Sequence, residues 1–189
     1  MREQKLLRRT VFGNPILRTP ARQLTKQEIL SDEVQQLIID LKYTVDKKKL
    51  GVGLAAPQVG VGIALARIAI KPTPTRPNRK LFDRVIINPE IIKTNGKKQQ
   101  MWEGCISFGA GNTPYAATMR WPKITVQYYD EHAKKITEDL SGLAAHVFQH
   151  ELDHLDGVLF VDRVEDNKTF VLATEFRKRI LPLLPPEVE

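Results

Sequence analysis

The sequence predicts an α+β domain, and three observations lead to that reading. The chain has 189 residues, 42% hydrophobic and 27% charged, enough for one sizeable core and a single domain over 1–189. Short aliphatic runs bounded by proline and glycine read as strands. Amphipathic stretches lie among them without the regular alternation of a doubly wound parallel sheet. In chain order, Val34, Leu37, Ile38, Leu41 and Val45 recur at helical spacing. They predict a helix over 31–47, N-capped by Ser31 and ended by Gly51 and Gly53. Residues 62–70 and 85–88 are expected as strands, with Pro72, Pro74 and Pro77 holding an exposed loop between them. Residues 123–129 and 135–140 flank the polar 130–133, a hairpin pattern. A second helix is expected from 141–142 through Asp156, closed by a left-handed Gly157. A last amphipathic segment, 168–180, is stopped by Pro182.

Composition narrows the functional classes. The single cysteine, Cys105, cannot form an internal disulfide, which leaves it as apolar filler, reactive thiol or metal ligand. No stretch approaches the ~18 consecutive apolar residues of a membrane span. Residues 1–10 are basic and polar without the apolar segment of a secretory signal, so a cytoplasmic location is expected, with no membrane partner. The 29 Lys and Arg exceed the 22 acids for a formal +7, scattered in short groups such as 47–49 and 177–179. That excess reads first as a solvated surface and second as one able to touch RNA, the ribosome included. DNA is not expected as a partner.

The chemistry concentrates in Gln149-His150-Glu151-Leu152-Asp153-His154. On a helix, residues i and i+4 sit about 6 Å apart on one face, so both imidazoles reach one metal. Glu151 is then placed to take a proton from water that the metal activates. Asp153 faces away and reads as an orienting group; His146, one turn earlier, reads as a neighbouring or surface residue. A catalytic metal takes three protein ligands and keeps a position open. A third histidine six residues after His154 is excluded by Phe160. Glu175 and Cys105 both stay open, with the thiolate the better match because its charge offsets that of the ion. Cys105 as a nucleophile would leave the two histidines unexplained. The run Gly51-Val52-Gly53-Leu54-Ala55-Ala56-Pro57-Gln58-Val59-Gly60 permits close backbone approach to a ligand. Within it Gln58 can aim an amide N–H at a developing oxyanion.

Taken in order, Gly-Val-Gly-Leu-Ala-Ala-Pro-Gln (51–58), Glu-Gly-Cys-Ile-Ser (103–107) and Gln-His-Glu-Leu-Asp-His (149–154) closely resemble the three signature motifs of the peptide deformylases. The likeness extends to Ile87-Asn88-Pro89-Glu90 and to Leu155-Asp156-Gly157. It implies antiparallel sheets packed around a central helix that carries the His-Glu-x-x-His motif. It implies one divalent metal, Fe(II) natively and Zn or Ni as often isolated, on Cys105, His150 and His154. Glu151 would be general base and acid, and Gln58 with the backbone N–H of Ile106 would hold the oxyanion. The substrate implied is the N-terminal formylmethionine of nascent polypeptides, with formate released in the cytoplasm, or in an organelle if the source is eukaryotic.

Val52, Gly53, Leu143 and Val147 are candidates to line the methionine pocket, the last two sharing the helix face of His150. Glu103 is a candidate partner for Arg120, pinning the loop that carries Cys105. The chain departs from the family after the cysteine motif, where residues 108–119 are glycine-rich and carry no arginine. Contacts to the peptide beyond the methionine are therefore expected to be weak, with a high KM and tolerance of varied residues there. Two other readings are an inactive homologue used as a binding module and a zinc peptidase using Glu175.

Overall fold

The computed structural model describes residues 3–48, 51–72, 80–109 and 111–184. Among them, eight strands form two antiparallel sheets. The larger has the order β1 (Gly53–Ala55), β2 (Leu65–Ile70), β3 (Phe82–Asn95), β6 (Lys123–Tyr129), β7 (Lys135–Ser141). The smaller has the order β4 (Gln99–Gly104), β5 (Pro114–Arg120), β8 (Val171–Leu172). Two long helices, α1 (Asp32–Lys48) and α2 (Gly142–Leu155), pack on opposite faces of the larger sheet.

The period-two alternation of β2 explains this sandwiching. Ala66, Ile68 and Ile70 face α2 with Val147, Phe148 and Leu155, while Leu65 and Ala69 face α1 with Ile38, Leu41 and Val45. Both faces are covered, so β2 is an apolar run broken only by Arg67. That guanidinium is buried and held by Asp83 at 2.7 Å and Asp46 at 3.1 Å.

Local signals hold where local chemistry decides. Ser31 Oγ accepts from the Val34 N–H at 3.3 Å, capping α1 as expected. The hairpin pairs Tyr129 with Lys135 and Lys123 with Ser141. Beyond α2, Gly157 takes φ +73°, and Val158 N–H donates to the Asp153 carbonyl at 2.8 Å. The chain there passes against the backbone of Arg18, so that a Cβ on Gly157 would stand 2.8 Å from its carbonyl carbon and oxygen.

Two expectations need correction. The strand expected over 85–88 runs from Phe82 to Asn95. Proline cannot donate to a ladder, but a register shift between Ile87 and Glu90 absorbs Pro89, with Asn88 at φ +48°. Asn88 side-chain bonds to the Leu24 backbone hold that bulge. The 168–180 segment is no continuous helix. It is a 3-10 turn, the short strand β8 against β5, and a π-helical turn over Phe176–Ile180, with Pro182 inside a final 3-10 turn. Of the prolines expected to hold the loop, Pro72 is exposed, and Pro74 and Pro77 lie outside the described residues.

The N-terminal segment, read from sequence only as basic and polar, is a strap. Lys5 and Leu7 N–H groups donate to the Asp40 and Thr44 side chains of α1. Thr10 and Phe12 N–H groups donate, both at 2.7 Å, to the carbonyls of Gln58 and Ser107. It thus fastens two loops that carry site residues. No helix among the described residues is long and apolar enough to cross a membrane.

Gly157→Ala is expected to lower stability by roughly 2–3 kcal/mol, combining left-handed strain with the Arg18 backbone clash. Thermal unfolding checks this, with a fall of about 5–10 °C expected for a chain of this size; an unchanged Tm would contradict it.

Candidate metal centre

The helix α2 lies between the two sheets. Its apolar side packs on the larger one, and its polar side, with His146, His150 and Asp153, meets Glu103 and Arg120 of the smaller. His150 and His154 project one turn apart, ring centroids 4.9 Å from each other. Cys105 follows β4 directly, and its buried Sγ stands 3.2 Å from His154 Nε2. Ligand atoms of Cys105, His150 and His154 all lie within 4.8 Å of one another.

This donor set fits a metal ion on three grounds. One sulfur and two imidazole nitrogens are a combination that Zn, Ni and Fe all accept. Burial alone would push the Cys105 thiol up, but His154 and His150 outweigh it and hold the thiol well below its usual range. Burial likewise resists charge on His150, yet the Cys105 sulfur and the Glu103 carboxylate outweigh it and hold the imidazole well above 6.5. The two groups thus pair as thiolate and imidazolium, and a metal cation would replace that proton beside the sulfur. The buried Oε2 of Glu151 has no protein partner, which suits a group that works on a bound molecule.

Glu103 orders the site. Its carboxylate accepts from Arg120 Nε at 2.5 Å and Nη2 at 3.0 Å, and from Thr118 Oγ1 at 2.5 Å. It also meets His150 Nδ1 at 2.8 Å and His146 Nε2 at 3.0 Å. Holding Nδ1 turns His150 Nε2 toward Cys105 and His154. Desolvation opposes ionisation of Glu103, but His146, His150 and Arg120 keep its carboxyl well below the carboxylate range. Arg120 continues to Asp153 at 2.6 Å, and Asp153 to Arg163 at 2.7 Å. The pairing of Glu103 with Arg120 and the orienting part of Asp153 agree with the sequence reading.

Gln58, 1% exposed, is aimed by its neighbours. The Ala55 N–H donates to its Oε1 at 2.8 Å, so Nε2 points at Cys105 Sγ (3.5 Å) and Ser107 Oγ (3.3 Å). Ile106 opens the 3-10 turn after Cys105, a position whose N–H has no partner within its own turn. Gly53 serves a close approach, though to a side chain: a Cβ there would stand 2.0 Å from Glu151 Oε1. The Glu151 carboxyl is pushed up to about 7 by burial, against the pull of His150 and His154.

These groups open onto a cleft of about 620 Å³, whose lining includes Val52, Gly53, Leu143 and Val147 together with His146. Glu175 is not among the clustered donors; it is exposed and paired with Arg179. Two features escaped the sequence reading. Gln149 clasps the Trp121 backbone, accepting its N–H at 3.0 Å and donating to its carbonyl at 2.9 Å, which docks α2 on the chain after β5. The C-terminal segment forms a cleft wall, Phe176 stacking on Tyr115 with centroids 4.4 Å apart. Only the hydrophobicity of Phe176 signals that contact, which joins residues 61 positions apart in the sequence.

The polypeptide deformylase family model matches residues 8–170. Peptide deformylase 2 of Nostoc sp. is 37% identical over 172 residues, covering 89% of this chain and 92% of that one. The peptide deformylase of Thermotoga maritima is 34% identical over 173 residues, covering 92% and 93%. Among solved structures, the Met-Ala-Ser-bound class I type b peptide deformylase of Acinetobacter baumannii superposes with a TM-score of 0.77. It is 29% identical, covering 86% of this chain and 100% of that one. A peptide deformylase of Synechococcus elongatus in complex with actinonin gives 0.74 at 35% identity, covering 89% and 87%.

Cys105→Ala is expected to abolish stoichiometric metal binding, and Glu175→Ala to leave it intact, as measured by metal analysis of anaerobically purified protein. A full complement in the first variant and its loss in the second would reverse the assignment.

Proposed function

The chain belongs to the polypeptide deformylase family, and we propose that Cys105, His150 and His154 hold one divalent metal while Glu151 moves the protons. The protein is a metal-dependent hydrolase that removes the N-formyl group from the N-terminal formylmethionine of nascent polypeptides. The observation that carries the residue assignments is the convergence of one sulfur and two imidazole donors, one unpartnered buried carboxylate and one aimed amide on a single cleft.

A divalent metal, when bound, polarises the formyl carbonyl and makes water a competent nucleophile near neutral pH. Fe(II) is the ion assigned by family resemblance; Zn and Ni share the donor preference. Everything else is the work of this chain. Glu151, with a carboxyl pushed up to about 7, sits near the balance point at which a group both accepts and returns a proton. It takes the proton of the attacking water and passes it to the departing amine as the C–N bond breaks. Oxygen joins the formyl carbon, formate leaves, and the peptide keeps a free amine. Gln58 Nε2 and the Ile106 N–H donate to the formyl oxygen as it gains charge. Both are held before substrate arrives, one by Ala55 and the other by the 3-10 turn, so little reorganisation is needed.

Val52, Leu143 and Val147 offer an apolar surface to the methionine side chain. The backbone of Gly53 leaves room for the Glu151 carboxylate beside it. The single domain works where translation begins with formylmethionine, in the cytoplasm or an organelle, and its basic excess suits transient contact with the ribosome. A zinc peptidase on Glu175 is not favoured, since that residue stands apart from the donors. An inactive binding module is not favoured either, since every reacting group is present.

Glu151→Gln tests the mechanism. The variant is expected to keep its metal and lose roughly 10²–10⁴-fold in formate release from formyl-Met-Ala-Ser. A near-normal rate with metal bound would contradict the proton-carrying role.

A further inference from the structure

The cleft has one charged feature that the mechanism leaves unused. Among the described residues lining it, Arg177 carries the only permanent positive charge. The residue lies beyond the family match at 8–170, on a segment anchored to the smaller sheet. The Ala173 N–H donates to the Thr113 carbonyl at 2.9 Å, the Thr174 N–H to Asn112 Oδ1 at 3.0 Å, and buried Phe176 stacks on Tyr115. Arg177 is thus delivered to the cleft from a fixed base.

Neighbouring acids are already committed. Glu103 is held by Arg120, and Glu175 pairs with Arg179. Among the described residues Arg177 has no acidic partner. Its guanidinium offers a planar set of donors matched to a carboxylate. Position says which part of a peptide it meets. Tyr115 pairs with Gly104, the residue before the proposed ligand Cys105, and Phe176 stacks one ring beyond. The Tyr115 ring lies over Gly104, where a Cβ would meet it at 2.6 Å, and Phe176 stacks 4.4 Å beyond, which sets Arg177 about two residues of extended peptide, at ~3.4 Å each, or more from that backbone.

We infer that Arg177 is a specificity-determining residue that favours aspartate or glutamate at the second to fourth positions of the formylated peptide. The inference rests on the deformylase reading of the cleft. It amends the expectation of tolerance drawn from the glycine-rich loop, which did not count a cation supplied by residue 177.

The test uses metal-loaded wild type, Arg177→Met and Arg177→Glu, with C-terminally amidated formyl-Met peptides carrying Asp or Asn at the second, third or fourth position. Wild type is expected to prefer Asp by roughly two- to fivefold in kcat/KM at one or more positions, the range of an exposed ion pair. The preference should sit in KM and shrink with added salt. It should fall to near one in Arg177→Met and reverse in Arg177→Glu. Turnover by wild type with ratios near one at every position, or a preference for Asp that survives in Arg177→Glu, overturns the inference alone. Absence of formate from every peptide overturns the deformylase reading and the inference with it.

Discussion

The buried carboxylate of Glu103 is the interaction on which the rest of the site depends. Five side-chain donors from one strand and one helix converge on it: Thr118, two nitrogens of Arg120, His146 and His150. Removing such ions from water costs several kcal/mol each, and only good geometry with alternating charge offsets that. The order Glu103, Arg120, Asp153, Arg163 supplies the alternation and reaches solvent at its last member, which is 46% exposed in its side chain. Because the strand that leads into Cys105 and the helix that carries both histidines meet through this carboxylate, the geometry of the proposed ligands is inherited from it.

Close packing does for Glu151 and Gln58 what charge does for the histidines. The absence of a side chain at Gly53 lets β1 lie against the Glu151 carboxylate, and the desolvation that follows raises its proton affinity. The N-terminal strap bonds the carbonyls of Gln58 and Ser107 from one short stretch, so the loop with Gln58 and the loop with Cys105, the proposed sulfur ligand, are held by one piece of chain. Phe12 stacking on Phe108 at 4.5 Å reinforces it.

Much of this was legible in the sequence where short-range chemistry sets the outcome. The i, i+4 histidines on α2, the Ser31 cap, the 123–141 hairpin and the left-handed Gly157 are each specified within a few residues. Chemistry also singled out Glu103 with Arg120, because two opposite charges flank a would-be ligand. What escaped reading depends on partners distant in the chain. The strand read over 85–88 extends through Pro89 to Asn95 only because the Leu24 backbone holds Asn88 in its bulge. Residues 168–180 have helical periodicity, but the exposed edge of β5 competes for their backbone and claims Val171 and Leu172. Phe176 and Arg177 become cleft residues only through that capture.

The central claim is that the charge of Glu103 sets the metal geometry through His150. It is tested most directly by Zn(II) affinity of folded Glu103→Gln, measured by competition with a chromophoric chelator. Glutamine keeps the shape and loses the charge, so affinity is expected to fall ten- to a hundredfold, the usual effect of removing a group that orients a ligand histidine. An affinity within a factor of two of wild type would contradict the account.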